Sequence, residues 1–237
     1  GDERFRREHE CDFLIYDETL INSINLADME GVPPVEVTGQ VRWFKRPTPG
    51  NTYLTSLDPA MGTGGDYAAI QVFELPSFEQ VAEWHHNTTP MNQQVRILQQ
   101  INKHIHDAIM EKDTTASPQI FYSMENNTIG EAALLRVMDI GEENIQGMFL
   151  SEPIRKGHRR KFRRGFNTTA KHKIDACTKF KELVENGKMK INSQLLISEL
   201  KDFVASGMSY KAKAGQHDDL VSACLLMTRM MKVLADF

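Results

Sequence analysis

Residues 53–75 read YLTSLDPAMGTGGDYAAIQVFEL. Two apolar, β-branched or aromatic runs, 53–58 and 67–75, flank a Gly-rich turn, which is the pattern of two antiparallel strands. The first run ends on an acid, Asp58. A carboxylate there suits neither a core nor a turn buried in one, and it is well placed at the end of a sheet strand, where open α/β folds build their sites. An Asp that caps the turn before Pro59 is the competing reading.

The pattern extends outward from this pair. A third short strand is expected over Gln80–His86, completing a meander. Val95, Leu98, Ile101, Ile105 and Ile109 recur at helical spacing within Met91–Met110. PQIFYSM (118–124) reads as a buried strand, and Gly130–Met138 as a short helix. Ala170–Asn186 reads as a helix stopped by Gly187, Met189–Ile191 as a short strand, Ser193–Ala205 as a helix capped by Ser193, and Asp219–Leu234 as a closing helix. A meander followed by strand–helix units predicts an α/β fold, a mixed sheet with helices on both faces. Residues 1–50, rich in turn signals such as Pro33-Pro34 and Pro47-Thr-Pro-Gly50, read as an arm or linker, and 51–237 as the domain.

Composition narrows the class. With 41% hydrophobic and 25% charged residues the chain reads as a globular protein. It has no apolar run of the roughly 18 residues a membrane span needs, and its charged first residues are no secretion signal. Three scattered cysteines, Cys11, Cys177 and Cys224, form no CxxC pair, against a disulfide framework or cysteine zinc site. Cys177 and Cys224 fall on apolar helix positions and are expected in the core. The net charge of −4 hides two halves. Residues 1–150 hold 10 Lys/Arg against 23 Asp/Glu, and residues 151–237 hold 18 against 9. Arg155, Lys156, Arg159, Arg160, Lys161, Arg163 and Arg164 crowd ten positions. Such like-charge density costs free energy unless a polyanion offsets it, so this loop, with Lys171 and Lys173 beyond it, is the expected contact for double-stranded DNA, with a solvated basic loop that has no partner as the alternative.

Three acids carry the chemistry. Glu125 follows IFYSM as Asp58 follows YLTSL, at the end of a second buried strand. Asp219 opens the last helix, in His217-Asp218-Asp219. Three carboxylates from distant segments make an oxygen site for a hard cation, Mg²⁺, with Mn²⁺ able to substitute. Paired ions roughly 4 Å apart stabilise both oxygens of a phosphodiester displacement. Asp218 is read as the cap of the last helix. His217 and Asp66 are accessory candidates, with a surface histidine and a turn residue as the alternatives, and His85 and His86 are candidates by sequence proximity only. Gly62-Thr63-Gly64-Gly65 lacks the Lys-Ser/Thr of a phosphate-binding loop, so no ATP site is expected.

The segments LDPAMGTGGDYAA (57–69), YSMENNTIG (122–130) and GQHDDLVSA (215–223), in this order, resemble the C-terminal nuclease domain of the large terminase subunit of tailed bacteriophages, nearest the T-even-like phages. FRREHECDF (5–13) resembles the segment leaving the ATPase domain in those proteins. The resemblance covers essentially the whole chain, and it is the ordered set of motifs that is specific. It implies an RNase H-like, RuvC-like fold. It implies an endonuclease cutting concatemeric viral DNA at the start and end of packaging, leaving a 3′-hydroxyl and a 5′-phosphate. It casts Asp58, Glu125 and Asp219 as the catalytic metal ligands. It also implies an upstream ATPase domain, a portal protein and a small terminase subunit as partners, in the bacterial host cytoplasm at the procapsid portal. Thr63 departs from the T-even pattern, which carries arginine there, so a phosphate contact from that loop does not carry over. Two other readings share these residues: a DNA-gripping module whose acids are structural, and a junction resolvase of the same fold.

Overall fold

The computed structural model describes residues 18–153 and 164–235. A seven-stranded sheet organises them. Its centre is β3 (Thr52–Asp58), antiparallel to β4 (Ala68–Leu75) and parallel to β6 (Gln119–Met124). β5 (Glu79–His86) pairs antiparallel with β4. β1 (Glu36–Thr38) and β2 (Val41–Trp43) extend that side, and β7 (Met148–Phe149) extends the other, parallel to β6. The order is β1-β2-β5-β4-β3-β6-β7. The expected meander and its parallel addition are both present. The stretch read as an arm packs closely on this frame, since β1 and β2 continue the sheet, and α1 (Ser23–Asp28) and the preceding Leu20 and Ile21 lie against it.

Strand alternation sorts the side chains onto two faces. Tyr53, Leu57, Ile70, Val72, Trp84 and Tyr122 bury against α2 (Met91–Lys112) and α3 (Thr128–Ile140). Leu54, Ala69 and Phe73 bury on the opposite face with α4 (Ala170–Glu185), α5 (Gln194–Lys201) and α6 (Asp219–Ala235). Residues Val95, Leu98, Ile101, Ile105 and Ile109 form the buried stripe of α2, as their spacing predicts. α6 is apolar nearly all round because it is enclosed by the sheet, α4 and α5. The Ser56 hydroxyl donates to the Ala223 carbonyl at 2.7 Å, pinning α6 to the central strand. Cys177 and Cys224 are buried in this core.

Local signals explain the helix boundaries. Asn127, Thr169 and Ser193 accept backbone N–H groups at the starts of α3, α4 and α5. Gly187 sits past the end of α4 with φ of 64°, where a side chain would be strained. Two expectations change. The helix read to Ala205 stops at Lys201, and a hairpin follows, β8 (Phe203–Ser206) with β9 (Ser209–Ala212). Met189–Ile191 forms no strand; Lys190 makes one isolated bridge to Glu79.

Candidate metal centre

Alternation along the strands also aims the acids. Asp58 follows Leu54 and Ser56 at two-residue steps, so it points to the α6 face. Glu125 follows Phe121 and Ser123 in the same way from the parallel neighbour. The register pairs Leu57 with Met124, which brings the two strand ends level. Glu125 N–H donates to the Leu57 carbonyl at 3.2 Å, so Glu125 sits immediately beside Asp58. Asp219 begins α6, held to the same face by the Ser56–Ala223 bond.

Asp58 feels the charges of both other acids. The Asp58 carboxyl is pushed well above the ordinary carboxylate range, first by burial, then by the charge of Glu125 and a hydrogen bond to it, then by Asp219 and Asp218. The Asp219 carboxyl is pushed up to about 6, mainly by burial, with Asp218 adding to the shift and His217 opposing it. Like charges brought this close favour the protonated form unless a cation replaces the proton. Three oxygen acids on one face are the donor type that a hard divalent cation takes.

The accessory candidates fall nearby. His217 Nδ1 lies 3.6 Å from Asp219 Oδ2, and its ring meets Tyr67 edge-on. Asp66 is exposed in the Gly-rich loop, and its charge contributes to the raised Asp219 pKa. Asp218 stands at the position before α6 where a cap is expected. Its side chain accepts the Ala212 N–H at 3.2 Å, tying β9 to the helix start, while its own carbonyl takes the Ser222 N–H. Of the basic residues, Arg155, Lys156, Arg159, Arg160, Lys161 and Arg163 lie outside the described residues. Arg164 pairs with Glu142 and lies over the Phe149 ring. Lys171 is exposed on the first turn of α4, and Lys173 Nζ lies 5.6 Å from the Phe203 ring. Thr63 is exposed in its loop.

Asn127 and Glu199 lie outside the expected set, and His85 is expected only as a neighbour in sequence. Asn127 accepts the Gly130 N–H as cap of α3 and donates to Glu125 Oε2 at 3.0 Å, so one residue starts the helix and orients the acid. Its place two after the acid in Glu-Asn-Asn is the signal that could have found it. His85 on β5 and Glu199 on α5 lie against Asp219, with one donor atom from each of the three residues all within 4.8 Å of one another. Burial pushes the Glu199 carboxyl up to about 9 and the His85 imidazole down to about 4, so neither is charged at neutral pH.

The Terminase RNaseH-like domain family matches residues 55–230, a span that contains all three acids. The chain belongs to that family. Solved structures share the fold of this terminase domain at low identity. The large terminase nuclease of thermophilic phage G20c, solved with bound magnesium, superposes with a TM-score of 0.65 at 16% identity, covering 90% of this chain and 97% of that one. The large terminase nuclease domain of Thermus phage P74-26 gives 0.58 at 17% identity, covering 87% and 94%. The human cytomegalovirus terminase nuclease domain, manganese-soaked and inhibitor-bound, gives 0.57 at 14% identity, covering 89% and 94%. The RNase H-like mixed sheet expected from the motifs is thus the fold of this terminase domain.

Proposed function

We propose that the chain is the metal-dependent endonuclease domain of a viral DNA-packaging terminase. It would cut concatemeric double-stranded DNA with little sequence preference when packaging begins and ends. The observation that carries this reading is the convergence of Asp58, Glu125 and Asp219 from two parallel strand ends and a helix start onto one face. Membership of the terminase family and the nuclease neighbours, one of them with magnesium bound, support it.

Mg²⁺, or Mn²⁺ in its place, would be held by Asp58, Glu125 and Asp219. Bound as a pair, such ions neutralise the phosphodiester and lower the pKa of the attacking water. The protein's own part is positional. β3 and β6 hold two carboxylates level, Asn127 fixes the angle of Glu125, and α6 carries Asp219 on the same face. His217 stands half-exposed at the rim, placed to meet a phosphate or order a water. The basic loop and Lys171 would grip the backbone, which carries no sequence information. The setting would be that of a T-even-like phage, with ATPase, portal and small-subunit partners in the bacterial host cytoplasm. No helix among the described residues is long and apolar enough to cross a membrane.

Incubation with supercoiled plasmid and Mg²⁺ or Mn²⁺ should give nicked and linear products, and EDTA should stop it. Plasmid left intact at high protein concentration with both metals would refute the nuclease reading for this domain. Neutralising Arg159, Arg160, Arg163 and Arg164 together is expected to weaken duplex binding and lower the log–log salt slope by about 0.9 for each phosphate no longer neutralised. Fluorescence anisotropy over a salt series measures this, and an unchanged slope would remove the loop from the binding surface.

The raised carboxyls also predict a pH effect on stability. Asp219 holds its proton more tightly folded, at about 6, than at its ordinary value of 3.8. Its contribution is therefore fully present below pH 3.8 and is lost as pH rises through about 6, a difference of roughly 3 kcal/mol. The melting temperature of metal-free wild type relative to Asp219→Asn should fall across that window. Mg²⁺ added at pH 8 should restore wild type, by about 2.7 kcal/mol at a hundredfold excess over Kd, and leave the variant nearly unmoved. Parallel melting curves with no metal effect would argue against Asp219 as a ligand.

A further inference from the structure

We propose that His85, Glu199 and Asp219 form a second cation site, of mixed nitrogen and oxygen ligands, suited to Mn²⁺, Co²⁺ or Zn²⁺. The three come from separate elements: the end of β5, the body of α5 and the first residue of α6. Their donor atoms all lie within 4.8 Å of one another. His85 Nε2 is buried and finds no hydrogen-bond partner among the described residues. It lies 3.8 Å from Glu199 Oε1. That separation is too long for a hydrogen bond. It is within the span of two bonds of about 2.1 Å to a shared ion.

The surroundings hold both donors in place. Tyr67 stacks on the His85 ring with centroids 4.1 Å apart, fixing the imidazole plane. The Val221 N–H donates to Glu199 Oε2 at 3.0 Å, which leaves Oε1 turned to His85. His85, Glu199 and Asp219 side chains are 14%, 11% and 16% exposed, buried enough to be rigid and open enough to admit an ion. An imidazole ligand selects against Mg²⁺, which prefers oxygen, and in favour of the later divalent metals. The all-carboxylate set of Asp58, Glu125 and Asp219 has the opposite preference. The two sites therefore differ in chemistry and share one residue. An ion at the histidine site would cross-link β5, α5 and α6 and set the orientation from which Asp219 serves the carboxylate set. The inference rests on the nuclease reading only through that shared Asp219.

Pulsed EPR of Mn²⁺ bound to the protein tests it directly, because nitrogen modulation reports an imidazole ligand. Modulation is expected in wild type, in Asp58→Asn and in His217→Gln. It should be absent in His85→Gln, and Glu199→Gln should weaken Mn²⁺ binding at this site at least tenfold. Circular dichroism confirms that each variant is folded. Should His85→Gln not fold, wild type labelled with ¹⁵N-histidine and its His217→Gln counterpart still decide the matter. Absence of nitrogen coupling in wild type, its loss in His217→Gln, or its loss in Asp58→Asn would overturn the proposal. Plasmid cleavage is read separately, so inactivity of the domain would refute the nuclease reading and leave the nitrogen signal to judge this one.

Discussion

Asp58→Asn is expected to lower the rate of plasmid cleavage by at least about 10³-fold, some 4 kcal/mol of transition-state stabilisation, while the melting temperature holds or rises. Asparagine keeps the shape of the side chain and removes the charge on which a cation depends. It also removes a carboxyl whose burial, and then whose repulsion from Glu125 and Asp219, raise its pKa in the metal-free fold. The two signs together are diagnostic. A structural acid, replaced, would lose stability and leave the metal dependence of cleavage intact. A ligand, replaced, loses cleavage and gains metal-free stability. Nicking assays and melts with and without Mg²⁺ read both quantities. A variant that still cuts within tenfold of wild type would exclude Asp58 as a ligand.

Gly130→Ala should be the most damaging single-methyl addition near the site. A Cβ at Gly130 would stand 1.8 Å from the Glu125 carbonyl oxygen, a backbone atom that cannot swing aside. The turn from β6 into α3 must then open. That shifts Glu125 and strains Asn127, whose side-chain carbonyl accepts the Gly130 N–H and whose side-chain amide holds the acid. Overpacking of this kind costs about 1–3 kcal/mol or more, and cleavage should fall at least tenfold, because metal ligands tolerate little displacement. Gly65→Ala is the control: a Cβ there meets nothing within 4 Å. Denaturant melts and nicking assays on both variants check the contrast. Equal behaviour of the two would show that Glu125 does not need this turn.

These residues differ in how far each is legible in the sequence. Asp58 and Glu125 stand out because each terminates an apolar run, and strand alternation then dictates the face on which each acid lies. Asp219 is legible only through the order of three motifs, since an acid at a helix start is otherwise a common cap. Asp218, beside it, reads identically in sequence and yet bonds to Ala212, a partner fixed by a hairpin that the sequence conceals. That hairpin is hidden because Phe203-Val-Ala continues the apolar spacing of α5, and only the pairing of Phe203 with Ala212 makes it a strand. β1 and β2 are hidden for a related reason: three residues each carry too little periodicity, and their pairing is set by β5. Glu199 escapes, and His85 is legible only as a neighbour in sequence, because their significance is mutual. Neither is unusual on a strand or a helix, and they meet only when α5 docks on the sheet.

The Ser56–Ala223 tether has a further meaning for a protein made from its N-terminus onward. Asp58 and Glu125 are in place once the central strands pair, but the third acid lies on α6, which is synthesised after both. A nascent, truncated or frayed chain therefore carries the strand acids without the group that completes them. If the three acids are the metal ligands proposed above, they come together only when α6 docks, so the ability to sever DNA should arise with that docking and not before it.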